Sequence, residues 1–228
     1  MFFVLIKNNK ACIIILVKFM RLRNVKGAND IIEKSKYIIN NYMDYKGNFS
    51  SLFGNNNPIH IEVGMGKGDF IIGMATAHPD INFIGIEKFD SVLVRAVQKL
   101  ESLEIPNLRL IRMDALSIDS VFSNEIDCLY LNFSDPWPKE RHARRRLTSD
   151  LFLAKYDSIF KDSCNIVMKT DNRGLFEFSI MSFNNYGYTI DDISLDMYSD
   201  DITGNVQTEY EKKFVSKGNI IYRISVHK

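Results

Sequence analysis

The chain has 228 residues, the length of one large domain with modest additions. Its 46% hydrophobic and 25% charged residues, at a mean hydropathy of −0.12, exclude disordered, collagen-like and membrane-embedded classes. Lys and Arg number 29 against 28 Asp and Glu, a net +1, so no global field announces a nucleic-acid or membrane partner and any such signal must be local. Cys12, Cys128 and Cys164 are odd in number and far apart. That argues against a disulfide framework or a clustered zinc site, and it fits a reducing, cytoplasmic setting.

In chain order, residues 2–6 and 11–17 are apolar runs split by Lys7, Asn8, Asn9 and Lys10. Neither reaches the roughly 20 residues of a spanning helix, and no small-residue cleavage site follows before Met20. Residues 1–19 are therefore read as an upstream extension outside the fold, with a polar, basic segment opening at Met20. Residues 20–57 read as an N-terminal arm laid on the main domain, and Arg21, Arg23 and Lys26 as a flexible basic terminus. Residues 58–228 read as a single domain.

From Pro58 onward short β-rich runs alternate with helical stretches, the pattern of a parallel sheet covered on both faces. Strands are expected at 59–63, 82–87, 108–112, 126–132 and 165–169. Between the second and third, Phe89, Val92, Leu93, Ala96, Val97, Leu100 and Leu103 recur at helical spacing on one side. A further helix is expected at 175–183, and late strands at 188–195 and 220–226 should form an antiparallel edge.

The first chemical motif is Glu62-Val63-Gly64-Met65-Gly66-Lys67-Gly68, between the first strand and a helix beginning near Asp69. Gly64, Gly66 and Gly68 let the backbone turn tightly and approach a ligand. A bare strand-to-helix turn would look the same, but Glu87 ends the next strand 23 residues beyond Gly64. That is near the spacing at which a carboxylate meets the hydroxyls of a ribose. Asp114, after the third strand, stands where an adenine edge could sit. Glu62 would repel a pyrophosphate and would suit a ligand carrying an ammonium and a sulfonium, which favours S-adenosylmethionine over a dinucleotide; a solvated strand-end Glu is the plain alternative.

Leaving the fourth strand is Asn132-Phe133-Ser134-Asp135-Pro136-Trp137-Pro138, followed by a run from Lys139 to Leu147. The prolines make a stiff loop at the sheet edge where ligands sit in open α/β folds. Lys139, Arg141, Arg144, Arg145 and Arg146 against Glu140 net +4 over eight residues and leave −3 for the rest of the chain. A solvated charge run is the ordinary reading; beside a cofactor pocket, such a run would instead bring a polyanion to the reacting centre. His142 lies in this run and reads as a residue of its RNA or solvent face. His60, His78 and His227 show no ligand spacing, and no metal is expected.

These motifs, with Lys169-Thr170-Asp171-Asn172 and Thr208-Glu209-Tyr210-Glu211, resemble bacterial tRNA (guanine-N7)-methyltransferases from about Met20 to the C-terminus. The resemblance implies a Rossmann-like α/β fold, a seven-stranded mostly parallel sheet with helices on both faces, and methyl transfer to a guanine in the tRNA variable loop. By position it assigns Glu62, Gly64, Gly66, Glu87, Asp114 and Asp135 to S-adenosylmethionine, with Asp135 also catalytic. Lys139, Asp171, Thr208, Glu209, Tyr210 and Glu211 would contact the substrate, and Arg141, His142, Arg144, Arg145 and Arg146 would face RNA. No membrane partner is implied, and monomer and homodimer both remain open. On residue type alone, Asp171 and Asn172 could simply cap a helix, and Thr208–Glu211 could be a surface turn. Two rivals remain. One is an amino-group methyltransferase on adenine or cytosine, disfavoured because Trp137 and Pro138 stand in exchanged order. The other is a non-catalytic RNA-binding module on the same fold.

Overall fold

Residues 82–87 show how the sequence becomes a sheet. All six are buried, and alternate side chains go to opposite faces: Ile84 and Ile86 join one core cluster while Phe83 joins the other. A strand buried on both faces is the signature of a sheet with helices on each side. The computed structural model describes residues 3–8, 11–16, 27–200 and 202–228.

The elements in order are β1 (Phe3–Asn8), β2 (Ala11–Leu16), α1 (Ala28–Lys34), β3 (Ile59–Val63), α2 (Asp69–Ala77), β4 (Asn82–Glu87), α3 (Asp90–Leu100), β5 (Leu108–Arg112), α4 (Ile118–Val121), β6 (Ile126–Asn132), α5 (Asp150–Tyr156), β7 (Phe160–Thr170), α6 (Arg173–Tyr186), β8 (Thr189–Ser194), α7 (Glu209–Val215) and β9 (Tyr222–His227). β1 and β2 pair as an antiparallel hairpin. The other seven strands form one sheet in the order β5-β4-β3-β6-β7-β9-β8, parallel except for β9, which runs antiparallel to both its neighbours. The expected antiparallel edge is thus β8–β9. Sequence order reverses between β3 and β6, and the crevice at their carboxyl ends is where an open α/β sheet offers a ligand site.

The strands at 59–63, 82–87, 108–112 and 126–132 have the expected bounds, whereas the fifth runs from Phe160 to Thr170, longer than 165–169. On α3, Leu93, Val94, Ala96, Val97 and Leu100 are buried, but Phe89 and Leu103 lie beyond its ends, and Phe89 is 52% exposed. Helical spacing alone did not separate a core position from an N-cap beside the crevice. The 27–57 arm lies against the other end of the sheet. Its Tyr37–Ile39 segment exchanges backbone hydrogen bonds with Leu110 at 2.7 and 3.0 Å, covering the β5 edge. Met20, Arg21, Arg23 and Lys26 lie outside the described residues.

Gly85 fixes how closely the glycine loop approaches the sheet. An added Cβ would overlap Met65 Sδ and press on Leu110, so Gly85→Ala is expected to lose roughly 1–3 kcal/mol of stability by denaturant titration, the overpacking range. Wild-type stability would contradict this packing.

Candidate active site

Two adjoining clefts open at the carboxyl ends of β3, β4 and β6, sharing Gly64, Val92 and Phe133 as a common wall. One, of about 330 Å³, is lined by Glu62, Gly66, Asn132, Glu209 and Tyr210 among others. The second, of about 300 Å³, is lined by Glu87, Phe89, Asp114, Asp135, Trp137 and Arg145 among others. Of the sequence-predicted residues, Glu62, Gly66, Thr208, Glu209 and Tyr210 line the first cleft, Glu87, Asp114, Asp135 and Arg145 the second and Gly64 both, whereas Lys139, Arg141, His142, Arg144, Arg146, Asp171 and Glu211 line neither.

The glycine loop is shaped by left-handed backbone at Gly64, Gly66 and Gly68, with φ of 77°, 59° and 79°. Glu87 ties this loop to the end of β4. Its Oε2 accepts from Gly66 N at 3.1 Å, and its Oε1 from Lys88 N and Phe89 N at 2.8 and 2.9 Å. A carboxylate offers about four acceptor positions, so Oε2 retains one for a ligand hydroxyl. Burial raises the Glu87 carboxyl above the usual range despite those three N–H donors.

Glu62 is 1% exposed. Its Oε1 accepts from Asn132 Nδ2 at 2.8 Å, while Glu62 Oε2 and Asn132 Oδ1 are buried without a hydrogen-bond partner. Desolvation pushes the Glu62 carboxyl up to about 7, against the opposing pull of Asn132 and the Lys169 charge. Two orphaned acceptors at the crevice form a receptor for a cationic donor. Asp114 caps the turn after β5, with its Oδ1 accepting from Leu116 N at 3.0 Å and its Oδ2 from Lys88 Nζ at 2.6 Å. Burial would raise its carboxyl, but these donors hold it below the usual range.

The loop after β6 turns outward through two non-glycine residues at positive φ, Phe133 at 51° and Trp137 at 40°. Such backbone is rare and clusters at functional sites. Asp135 between them is exposed and lines the second cleft. Arg146 clasps the loop from below: Nε and Nη2 donate to the carbonyls of Pro136 and Trp137 at 3.1 Å each, and its guanidinium lies 4.3 Å from the Phe178 ring centre. Arg145 lies 4.9 Å from the Trp137 ring centre, and His142 meets that ring edge-on at 5.7 Å. Lys139, Arg141 and Arg144 are exposed on a 3₁₀ turn around Glu140–Arg145, the outward face of the basic run.

The Thr208–Glu211 stretch is a capping box. Thr208 Oγ1 accepts from Glu211 N at 2.8 Å, and Glu211 Oε2 accepts back from Thr208 N at 3.3 Å. Glu211 is fully buried and also accepts from Lys169 Nζ at 2.9 Å and from Tyr198 Oη and Asn205 Nδ2 at 2.7 Å each. Its oxygens are thus turned into the protein. Glu209 instead reaches across the cleft mouth to Lys67 Nζ at 2.8 Å, and Tyr210 packs beside Phe133. Of the KTDN segment, Asn172 caps α6 by accepting from Leu175 N at 2.8 Å. Asp171 faces Tyr210, whose hydroxyl is pushed up to about 12 by burial and then by that carboxylate.

Lys169 is the site residue that sequence reasoning quoted without a role. Its ammonium donates to Glu211, Asn205 Oδ1 and Val206 O, between 2.9 and 3.1 Å. A lysine near the end of a strand that is otherwise buried was the available signal. Among the described residues no His, Cys, Asp and Glu group is arranged to hold a metal, and no helix is long and apolar enough to cross a membrane.

A raised carboxyl destabilises a fold at high pH. Below pH 4.5 Glu62 is protonated folded or unfolded; as pH climbs toward about 7 the unfolded chain releases the proton first and stability falls, by at most roughly 3 kcal/mol. Chemical denaturation of Glu62→Gln and wild type at pH 5 and pH 8 should therefore show the difference moving in the variant's favour at pH 8. A pH-independent difference would contradict the assigned burial.

Comparison with known proteins bears on the family and the fold. A family profile described as "Putative methyltransferase" matches residues 56–224. The tRNA (guanine-N(7)-)-methyltransferase of Bacillus licheniformis is 52% identical over 207 residues, 90% of this chain and 97% of its own. That of Bacillus subtilis is 51% identical over 209 residues, 91% and 98% of the two chains, and that of Streptococcus suis 50% over 207, 90% and 98%. Among solved structures, an antibiotic-related methyltransferase superposes with a TM-score of 0.61 at 20% identity, covering 78% of this chain and 92% of that one. A 16S rRNA (adenine(1408)-N(1))-methyltransferase with cosubstrate SAM from Catenulisporales acidiphilia gives 0.53 at 11%, covering 78% and 88%. The fold expected from the motifs is the fold found, and at this identity over nine-tenths of its length the chain belongs to the tRNA (guanine-N7)-methyltransferase family.

Proposed function

We propose that the protein methylates N7 of a guanine in the tRNA variable loop, with S-adenosylmethionine as methyl donor. The observation that carries the cofactor reading is the buried, unpartnered Glu62 Oε2 beside Asn132 Oδ1, a receptor for an ammonium at the end of the glycine loop. The donor set fits the rest of such a ligand. Glu62, Gly64, Gly66 and Asn132 would hold the amino-acid tail in the first cleft, while Glu87 and Asp114 would hold ribose and adenine in the second, where Phe89 offers an aromatic face.

The bound cofactor would supply a methyl group on a sulfonium. Guanine N7 is an unprotonated acceptor, so the protein needs no strong base to remove a proton before attack. Its contribution is alignment of the nucleophile and electrostatic support for charge arriving on the purine. Asp135, at the junction of loop and cleft, is suited to both roles, since a carboxylate accepts from guanine N1–H and the exocyclic amine. Glu209 offers a further acceptor on the opposite wall and Asp171 stands behind it beside Tyr210, whereas Glu211 acts indirectly by orienting α7. Lys139, Arg141, Arg144 and Arg145 would take phosphates, His142 would flank them, and Arg146 would serve by stiffening the loop.

The test is incubation of unmodified tRNA transcript with the protein and S-adenosylmethionine, followed by nucleoside mass spectrometry. N7-methylguanosine is expected at one variable-loop position, and Asp135→Asn is expected to retain the wild-type melting temperature while turnover drops by about 100-fold or more. A folded, cofactor-binding protein that makes no N7-methylguanosine would overturn the substrate assignment. Near-normal turnover by Asp135→Asn would remove that residue from the mechanism.

A further inference from the structure

Helix α7 is held in an unusual way. Its one buried residue is Glu211, while Tyr210 stands exposed at the first cleft and Phe214 is half-buried. Short amphipathic helices ordinarily dock by burying their apolar stripe; this one docks through a carboxylate and leaves Tyr210 43% exposed. The two rings of the helix are stacked. Tyr210 and Phe214 stack at 4.1 Å between centres and 19° between planes, and Tyr210 leans on Phe133 at 5.1 Å and 42°. Phe133 belongs to the wall shared by both clefts, so the three rings run from the reacting centre onto the outer surface of α7.

Positive charge borders the outer end of this ladder. Lys217 Nζ and Lys213 Nζ lie 5.3 and 5.9 Å from the Phe214 ring centre, the outer limit of a cation–π contact. Lys212, Lys213 and Lys217 form no ion pair with any carboxylate among the described residues. Aromatic faces edged by free ammonium groups match a single-stranded nucleic acid, whose bases stack and whose phosphates follow a few ångströms away. This patch lies on the α7 side of the clefts, and the arginine run on the other.

We propose that Phe133, Tyr210 and Phe214, edged by Lys213 and Lys217, form a stacking platform for the unpaired RNA nucleotides adjoining the target guanine, a second RNA contact across the cleft from the arginine run. The inference rests on the tRNA methyltransferase reading and extends it: the substrate must present its guanine from a segment that can be unstacked over at least one neighbouring nucleotide.

Phe214→Leu keeps apolar volume and removes the ring face. Binding of unmodified tRNA transcript to the full chain, measured at several salt concentrations, is expected to weaken about 5- to 100-fold for this variant, the range for loss of one stacked base. Affinity for S-adenosylmethionine should be unchanged, and Phe214→Tyr should restore tRNA binding. Lys213→Ala and Lys217→Ala, both at exposed positions and so insulated from folding effects, should each lower the slope of log affinity against log salt by about one. Wild-type tRNA affinity in Phe214→Leu, or salt slopes unaltered in both lysine variants, would overturn the platform while leaving the methyltransferase reading intact. Wild-type protein that binds no tRNA would bring down that reading and the platform with it.

Discussion

The site is organised around one buried ion pair, Lys169 with Glu211, whose side chains are 4% and 0% exposed. A pair removed from water this completely survives only where hydrogen bonds satisfy both partners, and here they do. The ammonium has Glu211, Asn205 and Val206 as acceptors, and the carboxylate has Lys169, Tyr198, Asn205 and the Thr208 amide as donors. Burial pulls the Lys169 ammonium below the usual lysine range, with Glu211 and then Glu62 opposing that pull. The same residue accepts from Phe133 N through its carbonyl at 2.8 Å. Strand β7, the turn after β6 and helix α7 thus all meet at Lys169, whose charge also acts on Glu62.

Two consequences follow for the cleft. Desolvation keeps the Glu62 carboxyl raised against the Lys169 charge, and with the Lys169 ammonium bonded to Glu211, Asn205 and Val206, Glu62 Oε2 has no hydrogen-bond partner. Helix α7, too short to bury an apolar face, is nonetheless fixed across the clefts, with Glu209 on Lys67 and Tyr210 packed between Phe133 and Phe214. The opposite wall is stiffened by different means. Proline geometry, positive φ at Phe133 and Trp137, and the Arg146 clasp hold Asp135 at the junction without burying it. Both walls of the clefts are thus tied down by hydrogen bonds from outside the loop or helix that forms them.

Much of this was legible in the residues. The spacing of Glu62, the glycines and Glu87 placed them together at the carboxyl ends of β3 and β4, because glycine backbone freedom and strand length are local properties. The Asp135 loop and basic run were equally visible. What spacing could not show was which polar groups turn inward. Thr208 followed three residues later by Glu211 is itself a capping-box pattern, yet only the fold shows Glu211 buried on Lys169. Arg146 is one of several arginines in sequence, but in space its guanidinium is spent on the loop carbonyls while Arg145 stands over Trp137. Asp171 and Asn172 are interchangeable as caps on residue type; the structure gives the cap to Asn172 and leaves Asp171 facing Tyr210. In each case tertiary partners decide.

The dependence of α7 on the buried pair can be read directly by hydrogen exchange. Removing one partner of such a pair costs about 3–5 kcal/mol, more than a seven-residue helix can supply for itself. In Glu211→Gln, amides of Glu209–Val215 should lose protection by two orders of magnitude or more, roughly 1.4 kcal/mol per tenfold, while β3, β4 and β6 stay protected. An α7 that exchanges as slowly in Glu211→Gln as in the wild type would contradict the account, because the helix would then be held by something other than Lys169.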